Sequence, residues 1–143
     1  MEETQEMTLS RETVKVDISA KPVDFNELDA EVKLAVQCAI DKKATEMTIL
    51  DLRQIASFTD FFIVASGSNQ RQVQAIADEI KEQLKAQLDA RLIRIEGYTT
   101  GEWILLDFGD FIFHVFDTKA REFYDLERLW RDAGKIALPP DAV

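Results

Sequence analysis

The sequence predicts an α/β fold: a mixed sheet of about five strands with helices packed on it, in two or three layers. Three observations predict it. Stretches with helical apolar spacing alternate with short aromatic and β-branched runs, in the order helix, strand, strand, helix, strand, strand, strand, helix. Two of those runs, residues 103–108 and 111–116, join across Gly109-Asp110, as the arms of a hairpin do. The length of 143 residues suits one domain, and an apolar share of 46% is ample for one core.

In chain order, residues 1–24 are polar and acidic without a sustained period, and read as a flexible leader. Within it Val14, Val16 and Ile18 alternate, so a short edge strand is the alternative there. The single domain is expected over residues 25–134, and residues 135–143 form a C-terminal tail. The first helix is predicted over 26–43. Leu28, Val32, Ala35, Val36, Ala39 and Ile40 share one face, Asp24 or Asn26 can cap the start, and Lys42-Lys43 suit the negative end. Strands follow at 47–52 (MTILDL) and 61–65 (FFIVA). The second is a continuous apolar run and reads as a central strand covered on both faces.

A second helix is predicted over 70–89, with Val73, Ile76, Ala77, Ile80, Leu84 and Leu88 as its buried stripe. Asn69 with Gln72 three residues on resembles a capping box. Residues 92–96 make another short strand, 97–101 a turn-rich link, and the hairpin and a C-terminal helix follow. Gly134 reads as a helix stop, and Pro139-Pro140 cannot continue a helix.

Composition narrows the functional classes. Twenty-seven acidic against seventeen basic residues give a formal net charge of −10. Phosphate backbones repel such a chain, which argues against direct, sequence-specific nucleic-acid binding and favours a basic protein partner. The same acidity also serves solubility. No run reaches the roughly 18 apolar residues of a membrane span, and no secretory signal pattern opens the chain. A cytoplasmic protein without a membrane partner is therefore expected. Cys38 is the sole cysteine and His114 the sole histidine. That rules out an internal disulfide and any multi-cysteine metal site, and no cofactor or metal is expected. Cys38 lies beside the apolar face of the first helix and reads as a small buried hydrophobe.

Candidate sites divide into three. Gly67-Ser68-Asn69, between a strand and a helix, places free N–H groups where a phosphate could sit, though an ordinary helix cap accounts for the same residues. The Gly-Ser pair in this context resembles nucleotidyltransferases, whose chemistry needs two or three carboxylates holding magnesium, usually two at i and i+2 of one strand. No such pair follows here, and Asp107 and Asp110 are three apart across a turn. His114, inside a predicted strand, could be a base or ligand, a hydrogen-bonded structural histidine, or part of a binding face. The third candidate is a surface. Trp103, Leu105 and Asp107 share one face of their strand, opposite Ile104, Leu106 and Phe108. An aromatic beside an acid is the composition of a contact patch, and Tyr124, Leu126, Glu127 and Trp130 repeat it. A core role for both tryptophans is the alternative.

The chain resembles the ribosomal silencing factor family, also called the Iojap or RsfS family. The resemblance rests on Thr59-Asp60-Phe61-Phe62 leading to Gly67, on WILLDFGDFIFH at 103–114, and on Arg121, Phe123-Tyr124, Leu126-Glu127 and Leu129-Trp130. It covers about residues 28–133. It implies a nucleotidyltransferase-like fold without demonstrated transferase activity. It further implies binding to the large ribosomal subunit through its ribosomal protein L-fourteen. Joining of the small subunit would then be blocked and translation lowered when nutrients are short. Members occur in bacteria, mitochondria and chloroplasts, and a leader without the arginine-rich, acid-poor character of a transit peptide favours a bacterial cytoplasmic member. The expected partner surface is Trp103, Leu105, Asp107, Tyr124, Glu127 and Trp130, with Arg121 paired to an acid and His114 at the border. Two alternatives stand beside it: a divergent magnesium-dependent nucleotidyltransferase using Ser68 and nearby acids, and a homodimer formed through the same patch.

Overall fold

Unbroken apolar runs in the central strands need cover on both faces, and the computed structural model, which describes residues 23–140, supplies it. Six strands form one mixed sheet in the order β3-β4-β5-β2-β1-β6. They are β1 (Thr45–Asp51), β2 (Phe61–Gly67), β3 (Arg94–Glu96), β4 (Trp103–Asp107), β5 (Phe111–Asp117) and β6 (Gly134–Ile136). The pairing of β2 with β5 is parallel, and every other pair is antiparallel. β2 lies at the centre with all seven residues buried, as its unbroken apolar run predicts.

Helices α1 (Ala30–Asp41) and α2 (Gln70–Leu88) cover one face. Under them sit Ile49, Ile63, Ile104, Leu106, Phe113 and Val115, the alternate residues of β1, β2, β4 and β5. Each such side chain, fully withdrawn from water, contributes roughly 1.5–3 kcal/mol. The other alternates, among them Leu50, Phe62, Val64, Ile112 and Phe116, face the opposite way. There the cover is two short helices, α3 (Thr118–Tyr124) and α4 (Leu126–Leu129).

Local chemistry accounts for the breaks. The Asn69 side chain accepts from the Gln72 N–H and so caps α2. Asp117 caps α3 in the same way through the Ala120 N–H. Asp125 sits at φ 48°, a left-handed conformation that aspartate tolerates, and it splits the predicted C-terminal helix into α3 and α4. Gly109, at φ 93°, opens the two-residue turn between β4 and β5 as expected.

Three expectations change. The first helix begins at Ala30, after a 3-10 turn at Phe25–Glu27, although Leu28 still enters the core. The sheet has six strands rather than about five, because Gly134–Ile136 pairs with β1 and buries Ile136. Three residues after a glycine carry no strand period, so only the neighbouring β1 makes them a strand. The expected tail therefore contributes Lys135 and Ile136 to the sheet. The expected leader, with Val14, Val16 and Ile18, lies outside the described residues apart from its last two.

Candidate functional site

The two faces of the sheet are covered unequally. On β4, Ile104 and Leu106 are fully buried beneath the long helices. Their alternates Trp103, Leu105 and Asp107 are only half-buried, and β3 beyond them is exposed throughout. The cause is helix length. α3 spans seven residues and packs on β5 and β2, which leaves that face open at β4.

Aromatic rings cross this thinly covered face in a continuous series. Tyr124, the last residue of α3, lies 4.8 Å from Trp103. Trp103 stacks on Phe116, also at 4.8 Å, and lies 5.9 Å from the His114 ring. His114 meets Phe62 edge-on at 4.5 Å, Phe62 meets Trp130 at 5.6 Å, and Trp130 meets Phe58 at 6.0 Å. Such edge and offset contacts add on the order of 1 kcal/mol each beyond area burial. They hold the exposed members in fixed orientations. Phe123, Leu129, Phe58 and Tyr124 leave between 51% and 78% of their surface open to solvent.

His114 is the polar centre of this series. Its Nδ1 accepts the indole N–H of Trp103 at 3.1 Å. That places the ring proton on Nε2, which is buried and has no hydrogen-bond partner among the described residues. Burial lowers the His114 pKa to about 3, so the ring is neutral at any physiological pH. The ring is 2% exposed.

The remaining expected residues have distinct surroundings. The Asp107 carboxylate accepts from the Gly109 N–H at 2.9 Å and lies 3.8 Å from Arg94, so it shapes the hairpin turn as well as the edge of the face. Glu127 is gripped by Arg121, whose Nε and Nη2 donate to its two carboxylate oxygens at 3.1 and 2.8 Å. Arg121 Nη1 also donates to Ser66 Oγ and to the Glu46 carbonyl. One guanidinium thus ties both short helices to β1 and β2. Trp130 does not touch Trp103; the two connect only through His114 and Phe62. Sequence reasoning did not include Phe58 and Phe123, which are exposed beside these rings, or Phe62, which is buried among them, with the expected partner residues. For Phe58 the available signal was a lone aromatic inside a polar connection, and for Phe123 its place beside Tyr124.

The Ser68 position is arranged as a cap. Gln72 Oε1 accepts from both the Ser68 N–H and the Ser68 hydroxyl, while its Nε2 donates to the Lys42 and Lys43 carbonyls. The Ser68 N–H and hydroxyl are therefore both engaged. A Cβ on Gly67 would stand 3.0 Å from Val73 Cγ2, so any side chain there would press on the start of α2. No three of His, Cys, Asp and Glu converge to hold a metal ion among the described residues. Cys38 is buried, and burial pushes its thiol up to about 11. Cavities of about 260 and 440 Å³ lie at the junction of 24–26 with 137–140 and at the C-terminal end of α2. Neither is lined by the aromatic series, so the candidate site is a face and not a pocket. No helix among the described residues is long and apolar enough to cross a membrane.

Comparison with known proteins identifies relatives of the whole domain. The family described as ribosomal silencing factor during starvation matches residues 26–142. The chain is 40% identical over 107 residues to the ribosomal silencing factor RsfS of Halalkalibacterium halodurans, covering 75% of this chain and 91% of that protein. It is 26% identical to the mouse protein named mitochondrial assembly of ribosomal large subunit protein 1, covering 76% of this chain and 49% of that one. A crystal structure of a Chromobacterium violaceum protein superposes with a TM-score of 0.69 at 34% identity, covering 79% of this chain and 90% of that chain.

Proposed function

The chain belongs to the ribosomal silencing factor family, and we propose that it represses translation as a steric obstacle on the large ribosomal subunit. In this reading it binds ribosomal protein L-fourteen through the open part of the sheet face and blocks joining of the small subunit under nutrient limitation. It acts in the cytoplasm and performs no chemistry. The observation that carries the reading is the half-buried row of Trp103, Leu105 and Asp107, flanked by Tyr124 and left uncovered by the short helices. Rigid aromatic anchors ringed by charge are what a specific protein partner needs. Exposed Glu96 pairs with Leu105 across β3 and β4, and exposed Glu102 precedes Trp103. With a net charge of −10, these acids favour a basic partner. The name of the mouse relative, which ties that protein to the large subunit, points the same way.

The test is a subunit-joining assay. Separated subunits are mixed with increasing protein and resolved on a gradient. Joined ribosomes should fall as the protein saturates the large subunit. Trp103→Ala and Leu105→Glu should each weaken large-subunit binding at least tenfold, about 1.4 kcal/mol. Normal joining at saturating protein would end the proposal.

A further inference from the structure

Trp103 is the half-buried aromatic at the middle of the face, and its only polar atom is already spent. The indole N–H points inward to His114 Nδ1 at 3.1 Å. One ring face lies on Phe116 and one edge meets Tyr124. What remains for a partner is carbon and π surface. His114 itself is an unusual choice for its position. It is 2% exposed, flanked by Phe62, Trp103 and Phe116, and its Nε2–H is orphaned. A leucine or phenylalanine would fill that space without stranding a buried donor. What the histidine adds is one inward-facing acceptor, held at the correct distance from Trp103 by the pairing of β4 with β5.

We infer that His114 is a positioning residue for the partner surface: it fixes the rotamer of Trp103 and consumes the indole donor, so that Trp103 presents a purely apolar and π contact. The inference rests on the reading of this face as the partner surface and adds the chemistry of its central contact. The complementary group on the partner is hydrocarbon or a cationic side chain stacked on the ring, which the π face attracts. A carbonyl or carboxylate acceptor does not fit, since no donor is left to meet it.

The experiment uses the intact protein. In ¹⁵N-labelled wild type, the His114 ring should show the Nε2–H tautomer with Nδ1 unprotonated, and the Trp103 indole proton should exchange slowly. A protonated Nδ1 or a fast-exchanging indole proton would overturn the inference without any substitution. Large-subunit binding is then compared at fixed salt for His114→Asn, whose Oδ1 stands near the Nδ1 position, and His114→Phe, which has no acceptor. His114→Phe should bind about tenfold more weakly and expose the indole proton to exchange, while His114→Asn keeps both properties near wild type. Trp103→Ala separates the two readings. If Trp103→Ala weakens binding and His114→Phe does not, the positioning role is wrong. If Trp103→Ala binds as wild type does, the partner surface itself is misplaced.

Discussion

Acid should unfold this protein earlier than its carboxylates alone require, and His114 supplies the reason. In the folded chain burial holds the His114 pKa at about 3, against an ordinary value of 6.5. No neighbouring charge contributes to the shift. A histidine whose folded pKa is depressed binds its proton in the unfolded state first. Its contribution is therefore fully present above pH 6.5, and is lost as pH falls from 6.5 towards 3. Each pH unit in that window costs about 1.4 kcal/mol. Between pH 7 and pH 5 the loss comes to about 2 kcal/mol, a large part of the 5–15 kcal/mol that typically holds a domain together. Unperturbed carboxylates titrate near 4, mostly below this interval. Urea denaturation followed by far-ultraviolet circular dichroism at pH 7 and pH 5 measures the loss directly. His114→Asn removes the titrating group, so its stability should change little over the same interval, whatever its absolute value. Equal losses in wild type and variant would refute the argument, because they would place the proton uptake elsewhere.

Two further stability predictions follow from the same contacts, alongside the subunit-joining and tautomer experiments above. Arg121→Met removes a guanidinium whose side chain is 11% exposed and strands a Glu127 carboxylate that is 28% exposed. The partial exposure of Glu127 tempers the cost to about 2 kcal/mol, read from the urea midpoint, and an unchanged midpoint would show that the clasp is idle. Gly97→Ala should cost about 2 kcal/mol or more. Gly97 sits at φ 81°, and a Cβ there would stand 2.0 Å from the Trp103 carbonyl oxygen, so the start of β4 must shift. A melting temperature equal to that of wild type would contradict this geometry.

Burial patterns made much of the fold legible beforehand. The unbroken apolar run FFIVA reads as a strand covered on both sides, and β2 is a middle strand buried at all seven positions. The predicted stripe of α2 is buried from Val73 to Leu84, while Leu88, at the end of the helix, is exposed. Period-2 alternation placed Trp103, Leu105 and Asp107 on one face before any strand order was known, and they remain together at the open part of the sheet. Other features had no local trace. β6 is a strand only because β1 lies beside it. Position 125 reads as helical until its left-handed backbone divides the segment.

What the chain determined on its own was therefore most of the helices and strands, though not β6 or the break at Asp125, because apolar period, turn glycines and caps act over a few residues. Which faces meet was a tertiary decision. The parallel pairing of β2 with β5 sets Phe62 against His114, residues 52 positions apart in the chain. It thereby joins the Trp103 and Trp130 regions into one surface. The β4–β5 pairing aims the Trp103 indole at His114, and the packing of α4 turns Glu127 inward to Arg121. Such contacts arise from strand order and register, which no short window of sequence encodes. That is why Trp103, Leu105 and Asp107 could be placed on one side of their strand in advance, while the contact between Trp103 and His114 could not.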